Sequence, residues 1–445
     1  GCVYIISYIR YSKIQYPLPM LTRRNMLRRA SLAGLSLPLL PAFSEVVNPP
    51  APAGTDSWAD VRKQFMLDPG TVFFNPATVG AMPRVVVERT AAHLNMLATS
   101  PAEWAYKDDN AEQYISGYNT LLPLRSKVAK LLNVEVQEIA MTDNVTNGMS
   151  YLATGLELNA GDEVISTNQE HTGGSSSWLM RAKRHGIIYK EVALPKPIKD
   201  EQEVFELLTG AFTPKTKVLV ISHMITGSGA ILPVKELCTA ARERGILTIL
   251  DGAQTIGQIA LDMKEIGCDA YLGCFHKWIG APAGSGFMYV HKELMPEVWT
   301  TIASGNWDNH KDEGFRFTQR GTGSFSILMG VEAALDFHFE IGPQRVYDRI
   351  KFLGNRLRDG LRKNPKVKIF SPQSEQMCAG ITVYTLEGWK GKFLQDAFWE
   401  RERMRPRSQG DVFGLRHCTH IFNSEKEIDR AIELVNKLSV EKPQG

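Results

Sequence analysis

At 445 residues, with 43% hydrophobic and 22% charged side chains, the chain has the composition of an ordinary globular protein and enough length for more than one domain. A formal net charge of +3 is small for that length, and no dense basic stripe follows the N-terminus, so nucleic acid is not an expected partner. Six scattered cysteines without a CxxC pair speak against a zinc ribbon, a redox pair or a disulfide framework.

The N-terminal stretch reads as an address. Thr22-Arg23-Arg24-Asn25-Met26-Leu27-Arg28 is followed by a short apolar run over residues 30–40 and then by Pro41-Ala42-Phe43. Charge, then an apolar run too short to span a bilayer, then small residues is the layout of a secretory signal, and the paired arginines resemble a twin-arginine export signal. Met20, just before the pair, is a candidate start. Residues 48–54 have linker composition, so 1–57 are read as signal and linker and the folded protein is expected from Trp58. The twin-arginine export machinery is thus an expected partner and the periplasm the expected location. No other segment is apolar for long enough to span a membrane, so no stable anchor is expected.

The centre of the chain alternates strand-like and helix-like stretches. Buried strands are read at 163–167 (EVIST), 217–222 (KVLVIS), 246–250 (ILTIL), 270–272 and 286–290 (GFMYV). Between them, residues 176–185 have helical spacing, and 233–244 read as a helix with Pro233 in its first turn and Gly245 at its end. This order predicts an α/β fold, with a mostly parallel sheet covered by helices on both faces, in a large domain over 58–345. Residues 346–445 change character. Strands are read at 367–370, 380–386 and 415–422, and 425–438 form an amphipathic helix with Ser424 as N-cap, which predicts a smaller C-terminal α+β domain. Arg401, Arg403, Arg405 and Arg407 read as a solvated face or loop.

Three segments carry chemistry. Residues 142–148 stand between a strand and a helix, and small polar residues opening a helix offer free backbone N–H groups and a positive dipole end, an anion site suited to a phosphate. Asp251 ends the ILTIL strand, where open parallel sheets bind ligands; a carboxylate there can keep a pyridine nitrogen protonated, and a protonated ring is an electron sink. Lys277, at the end of the next strand in Gly273-Cys274-Phe275-His276-Lys277-Trp278, can form an imine with an aldehyde when partly desolvated. Each alone has a plainer reading: a capped helix, an N-cap aspartate, a surface lysine.

Together with the order DGAQ … CDAYLGCFHKWIGAPAGSGFMYV, they resemble the signature of class V aminotransferase-fold enzymes, within fold type I of the pyridoxal 5'-phosphate (PLP) enzymes. The wider chain resembles the isopenicillin N epimerase-like branch, relatives of the cysteine desulfurases. The resemblance implies PLP as cofactor, with Lys277 as its imine-forming lysine and later the base at Cα. It implies Asp251 as partner of the ring nitrogen and Gln254 as partner of the ring hydroxyl. Val145 and Thr146 fall in the phosphate loop, and His276 matches a phosphate-contacting histidine. His171, in Glu170-His171-Thr172-Gly173-Gly174, matches the histidine that stacks on the ring and can help move protons. Asn75 lies in 71–83 (TVFFNPATVGAMP), which resembles the loop at the mouth of the site, and is a candidate substrate contact. Arg416 matches the arginine that grips a substrate carboxylate. Thr322, in Arg320-Gly321-Thr322, matches a residue that reaches the phosphate of the neighbouring subunit, implying a homodimer with shared active sites.

Departures from the family pattern narrow the reaction. Cys274 stands where relatives often have a phosphate-binding serine, and a thiol is a weaker donor. Thr226 sits where desulfurases place an asparagine near the ring hydroxyl. Residues 404–414, where a desulfurase carries its reactive cysteine, hold none, and Cys378 is expected buried and inert, so persulfide chemistry is disfavoured. His417 and His420 are expected on opposite sides of one strand, so no metal is expected. The first expectation is an aminotransferase acting at Cα of an amino acid or amino-acid-containing metabolite. Epimerisation and C–S or β-elimination are the alternatives, ahead of a cysteine desulfurase or a non-catalytic exported binding protein.

Overall fold

The computed structural model describes residues 57–99 and 120–441, so the expected export signal lies outside the described residues. The described chain enters with a short helix, Trp58–Lys63, capped by the Ser57 side chain, and a two-residue strand, β1 (Val72–Phe73). The next seven strands build the main sheet: β2 (Ile139–Thr142), β3 (Glu163–Thr167), β4 (Ile188–Val192), β5 (Thr216–Ser222), β6 (Leu247–Asp251), β7 (Ala270–Cys274) and β8 (Gly286–Val290). They lie in the order β2-β8-β7-β6-β5-β3-β4. Strands β7, β6, β5, β3 and β4 run parallel, and β8 is antiparallel to both its neighbours.

Helices on both faces explain the continuous apolar runs. Val218 and Val220 of β5 enter one buried cluster with Ile249 and Leu272, while Leu219 and Ile221 enter another with Leu250 and Phe287. Successive strand residues point to opposite faces, so each run must be apolar throughout. The edge strand β4 was not read from sequence. Its residues IYKEV are mostly exposed and carry Lys190 and Glu191, which keep a free edge from pairing with other chains.

The expected element ends move by a few residues. The ILTIL strand shifts by one, so Asp251 is itself the last strand residue. The helix expected at 176–185 begins at Thr172, because the His171 side chain caps it by accepting the Gly173 N–H.

The C-terminal part holds β9 (Val367–Ile369), β10 (Ile381–Leu386), β11 (Met404–Arg405), β12 (Arg407–Ser408) and β13 (Leu415–Cys418). Four of them form an antiparallel sheet in the order β12-β13-β10-β9, while β11 pairs with β1 and ties the N-terminal segment to this region. The helix Glu425–Ser439 closes it, with Ser424 and Glu427 exchanging hydrogen bonds in a capping box. The last strand was expected to reach Phe422, but it ends at Cys418. The His420 N–H donates to Asn423 Oδ1 and the Asn423 N–H to His420 O, which closes a turn. Strand alternation therefore does not govern His420. His417 stacks on Tyr384 and His420 on Trp278. Among the described residues, no helix is long and apolar enough to cross a membrane, and no group of three His, Cys, Asp or Glu is placed to hold a metal.

Candidate active site

Chain order reverses between β3 and β5. β3 is followed by β4 on one side, and β5 by β6 and β7 on the other. Such a switch point leaves a crevice at the C-terminal strand ends. A cavity of about 390 Å³ opens there. Val145, Thr146, His171, Thr226, Asp251, Gln254, His276, Lys277 and Arg416 all line it. Asn75 sits behind the wall, with its Oδ1 accepting from Arg416 Nη2 at 2.8 Å. Thr322 is exposed and outside this cavity.

The floor is acidic and buried. Asp251 Oδ1 accepts the Ala253 N–H at 2.8 Å. Burial pushes the Asp251 carboxyl above its usual range, against the pull of that N–H, of Lys277 and of His171. A ring cation placed against it stabilises the ionised form. A second carboxylate stands behind. Glu170 Oε1 accepts from Thr167 Oγ1 at 2.6 Å, and Oε2 accepts from the Ser222 N–H at 2.9 Å and from the Ser222 hydroxyl. Glu170 thus ties β3 to β5 across the switch point. Burial raises its carboxyl to about 7, and the nearby charge of Asp251 adds to the rise. Nothing local in the chain separates a half-buried glutamate at this position from a surface one, so no role for Glu170 is legible in the sequence.

One end of the cavity is an anion cradle. Asn144 caps the helix Val145–Gly155 by accepting the Asn147 N–H at 2.9 Å. Val145 and Thr146 stand in the first turn, where backbone N–H groups have no intrahelical acceptor. A Cβ at Gly173 would lie 2.4 Å from Thr146 Oγ1, so glycine lets the start of the helix Thr172–His185 press against this turn. His276 Nδ1 is buried without a partner, and burial, with Lys277, lowers the pKa of its ring. Cys274 lines the cavity. Its Sγ lies 3.7 Å from Ala253 O as donor, and burial pushes the thiol up to about 11.

Lys277 follows the end of β7 by three residues. The Gly80 N–H donates to His276 O at 2.8 Å, and a Cβ at Gly80 would stand 1.8 Å from the Lys277 carbonyl oxygen. Only glycine lets residues 75–83 lie this close. His171 Nδ1 accepts the Gly173 N–H at 3.0 Å, which leaves Nε2 to carry the proton of the neutral ring. Burial, with Lys277, lowers the pKa of that ring.

The outer wall is cationic. Arg416 is 4% exposed, with Nη1 donating to Thr226 Oγ1 at 2.8 Å and Nη2 to Asn75 Oδ1 and Thr78 Oγ1 at 2.8 and 3.0 Å. A buried guanidinium held by neutral oxygens keeps its charge for an incoming carboxylate. Thr226 Oγ1 also accepts from Gln254 Nε2 at 3.1 Å and so couples floor and wall. Gln254 Nε2 gives its other hydrogen to Ala77 O, so contact with a ring hydroxyl requires displacing one partner.

The run Arg401, Arg403, Arg405 and Arg407 is not all solvated face or loop. Arg401 pairs with Glu441, and Arg403 and Arg405 stack on Trp399, but Arg407 lines the cavity. The β12–β13 ladder sets Arg407 opposite Arg416. A two-residue strand leaves no periodicity by which sequence could have shown this.

The donor set fits PLP: a helix start and a histidine nitrogen for phosphate, a buried carboxylate for the ring nitrogen and a lysine between them. The chain matches the family described as aminotransferase class-V over residues 71–408. It is 30% identical over 408 residues to the isopenicillin N epimerase of Amycolatopsis lactamdurans, covering 86% of this chain and 99% of that relative. It is 26% identical over 322 residues to a probable cysteine desulfurase of Synechocystis sp., covering 68% of this chain and 72% of that relative. Among solved structures, a mutant of C-DES with glycine covalently linked to its PLP cofactor is similar at TM-score 0.74 and 26% identity, covering 84% of this chain and 99% of that one.

Proposed function

The chain belongs to the aminotransferase class-V family of PLP-dependent enzymes, and from that premise we propose that it moves the Cα proton of an amino acid or amino-acid-containing metabolite, with epimerisation as the net reaction. The observation that carries this reading is the placement of two acid–base groups about Asp251. Lys277 follows β7 and His171 follows β3, with β6 and its Asp251 between them in the sheet.

Bound PLP supplies an electron sink for the pair left when a bond to Cα breaks. Val145, Thr146 and His276 would hold its phosphate, Asp251 its ring nitrogen and Lys277 its aldehyde carbon. Arg416 takes the substrate carboxylate through two N–H groups and so orients the Cα proton. Lys277 is the base on one side. His171, neutral with its proton on Nε2, is the donor on the other. Transamination, the first expectation from sequence, uses Lys277 alone and leaves His171 without a proton to move. The likeness to a relative named isopenicillin N epimerase, over 86% of this chain, supports epimerisation as the net reaction. Persulfide chemistry has less support, because Cys238, Cys268, Cys274, Cys378 and Cys418 are all buried.

The test is turnover of single amino-acid enantiomers in deuterium oxide. Inversion with one solvent deuteron at Cα and the amine retained is expected, and His171→Asn should stop inversion while Cα exchange continues. Keto acid with the amine left on the cofactor, and no inversion, would make the enzyme an aminotransferase.

Thr322, exposed and outside the cavity of its own chain, is proposed to serve the phosphate of a second copy in a homodimer. The Arg23-Arg24 pattern supports export by the twin-arginine machinery to the periplasm. Sedimentation of the holoenzyme and fractionation of expressing cells test the two.

A further inference from the structure

Two guanidiniums converge on one hydroxyl at the mouth of the cavity. Arg416 Nη2 donates to Thr78 Oγ1 at 3.0 Å, and Arg407 Nη1 reaches the same oxygen at 3.5 Å. The two nitrogens are no farther apart than two hydrogen-bond lengths. Their hydrogen-bond partners are neutral oxygens of Asn75, Thr78 and Thr226. Like charges held this close repel, and the repulsion is relieved by a bound anion. Lys196 adds charge on the same side. Its ammonium sits 3.6 Å from the Phe413 ring centroid and 3.4 Å from where a Gly227 Cβ would stand, next to Thr226.

The two arginines differ in setting. Arg416 is buried on β13, whereas Arg407 is exposed on the edge strand β12. The buried one is placed for a group close to Cα, and the exposed one for a group farther out along the substrate. Gln409 lines the same rim and carries an amide donor.

We propose that Arg407 selects substrates with a second anionic group, so that an α-amino diacid is held by its α-carboxylate on Arg416 and by its distal carboxylate on Arg407. This rests on the reading of Arg416 as the α-carboxylate site. An exposed but fork-shaped guanidinium gives such a contact roughly tenfold in affinity.

The experiment compares α-amino diacids with their ω-amides on the holoenzyme: aspartate with asparagine, glutamate with glutamine, and a longer diacid with its own ω-amide. Dissociation constants come from titrating the visible absorbance, and kcat/KM from turnover. The wild type is expected to prefer at least one diacid over its amide by roughly tenfold. Arg407→Gln should bring that ratio to about one, Arg407→Lys should restore part of it, and Arg407→Glu should shift preference towards ω-amino side chains. A wild type that does not discriminate overturns the proposal. So does an Arg407→Gln variant that weakens diacid and amide alike, because both arginines then share one carboxylate. Arg416→Gln separates the underlying reading. It should weaken diacids and amides together, and if it leaves both as they were, Arg416 is not the α-carboxylate site whatever Arg407 does.

Discussion

The inner and outer walls of the cavity are made from different kinds of chain. Asp251, Lys277 and His171 stand at or shortly after the ends of three strands of one sheet, β6, β7 and β3, and the polar partners of Asp251 and His171 are close in sequence, at Ala253 and Gly173. The outer wall is assembled from far apart. Arg416 and Asn75 are separated by 341 positions and meet through one 2.8 Å bond. A sheet register places the inner groups rigidly, which suits a cofactor whose electronics must not change. Asn75 and Thr78 come from a loop, Arg416 from an inner strand of the smaller sheet and Arg407 from its edge strand, a mixed origin that suits a wall that chooses among substrates. Inner variants should therefore alter what the bound cofactor absorbs, and outer variants should alter how substrate saturates the enzyme.

The largest expected effect lies at the inner wall. Lys277→Ala should lose the visible absorbance band of the holoenzyme and slow turnover by roughly 10³-fold or more. A variant that keeps the band breaks the division, because the cofactor would then be held covalently elsewhere.

Glu170 belongs to the inner wall without lining the cavity. Its folded pKa of about 7 lies above the ordinary 4.5. Between those values the native state keeps a proton that the unfolded chain has released. The stability this group contributes is thus fully present below the unfolded value and is lost as pH rises through the folded one. The loss is on the order of 3 kcal/mol at most. Urea denaturation of the cofactor-free protein across that range should show a decline that Glu170→Gln flattens. Parallel profiles for the two proteins would mean that Glu170 ionises as it does in water.

At the outer wall, Arg416→Lys should raise KM for the amino acid roughly 30-fold, about 2 kcal/mol, because an ammonium cannot reproduce the two-pronged contact. The visible band should persist. A fall in kcat with KM unmoved would place Arg416 among the groups that act only in the transition state.

The smallest effect is expected at the phosphate cradle. Asn144→Ala removes the cap that accepts the Asn147 N–H and should cost about 1 kcal/mol, read as a lowered Tm of the holoenzyme. The cofactor should also dissociate more readily. A lowered Tm with cofactor affinity intact would limit Asn144 to a structural part.

The amino-acid sequence alone determined those features whose cause is local. Runs such as KVLVIS and GFMYV are apolar throughout because both faces of the main sheet are covered, and that pattern is readable residue by residue. Asp251 and Lys277 follow such runs, and Ser424 opens an amphipathic helix with its own capping partner three residues on. The tertiary structure alone decided the rest. β4 is mostly exposed and sets Ile188 and Val192 around Lys190 and Glu191 without a regular alternation, and only its pairing at the sheet edge makes it a strand. Glu170 became a half-buried, hydrogen-bonded carboxylate because Ser222 arrived from the neighbouring strand. Arg407 became part of the site because β12 pairs with β13 in a register that sets it opposite Arg416. Periodicity and capping act over one turn or one strand, whereas burial and ion placement depend on which distant segments pack together, and no stretch of chain carries that information by itself.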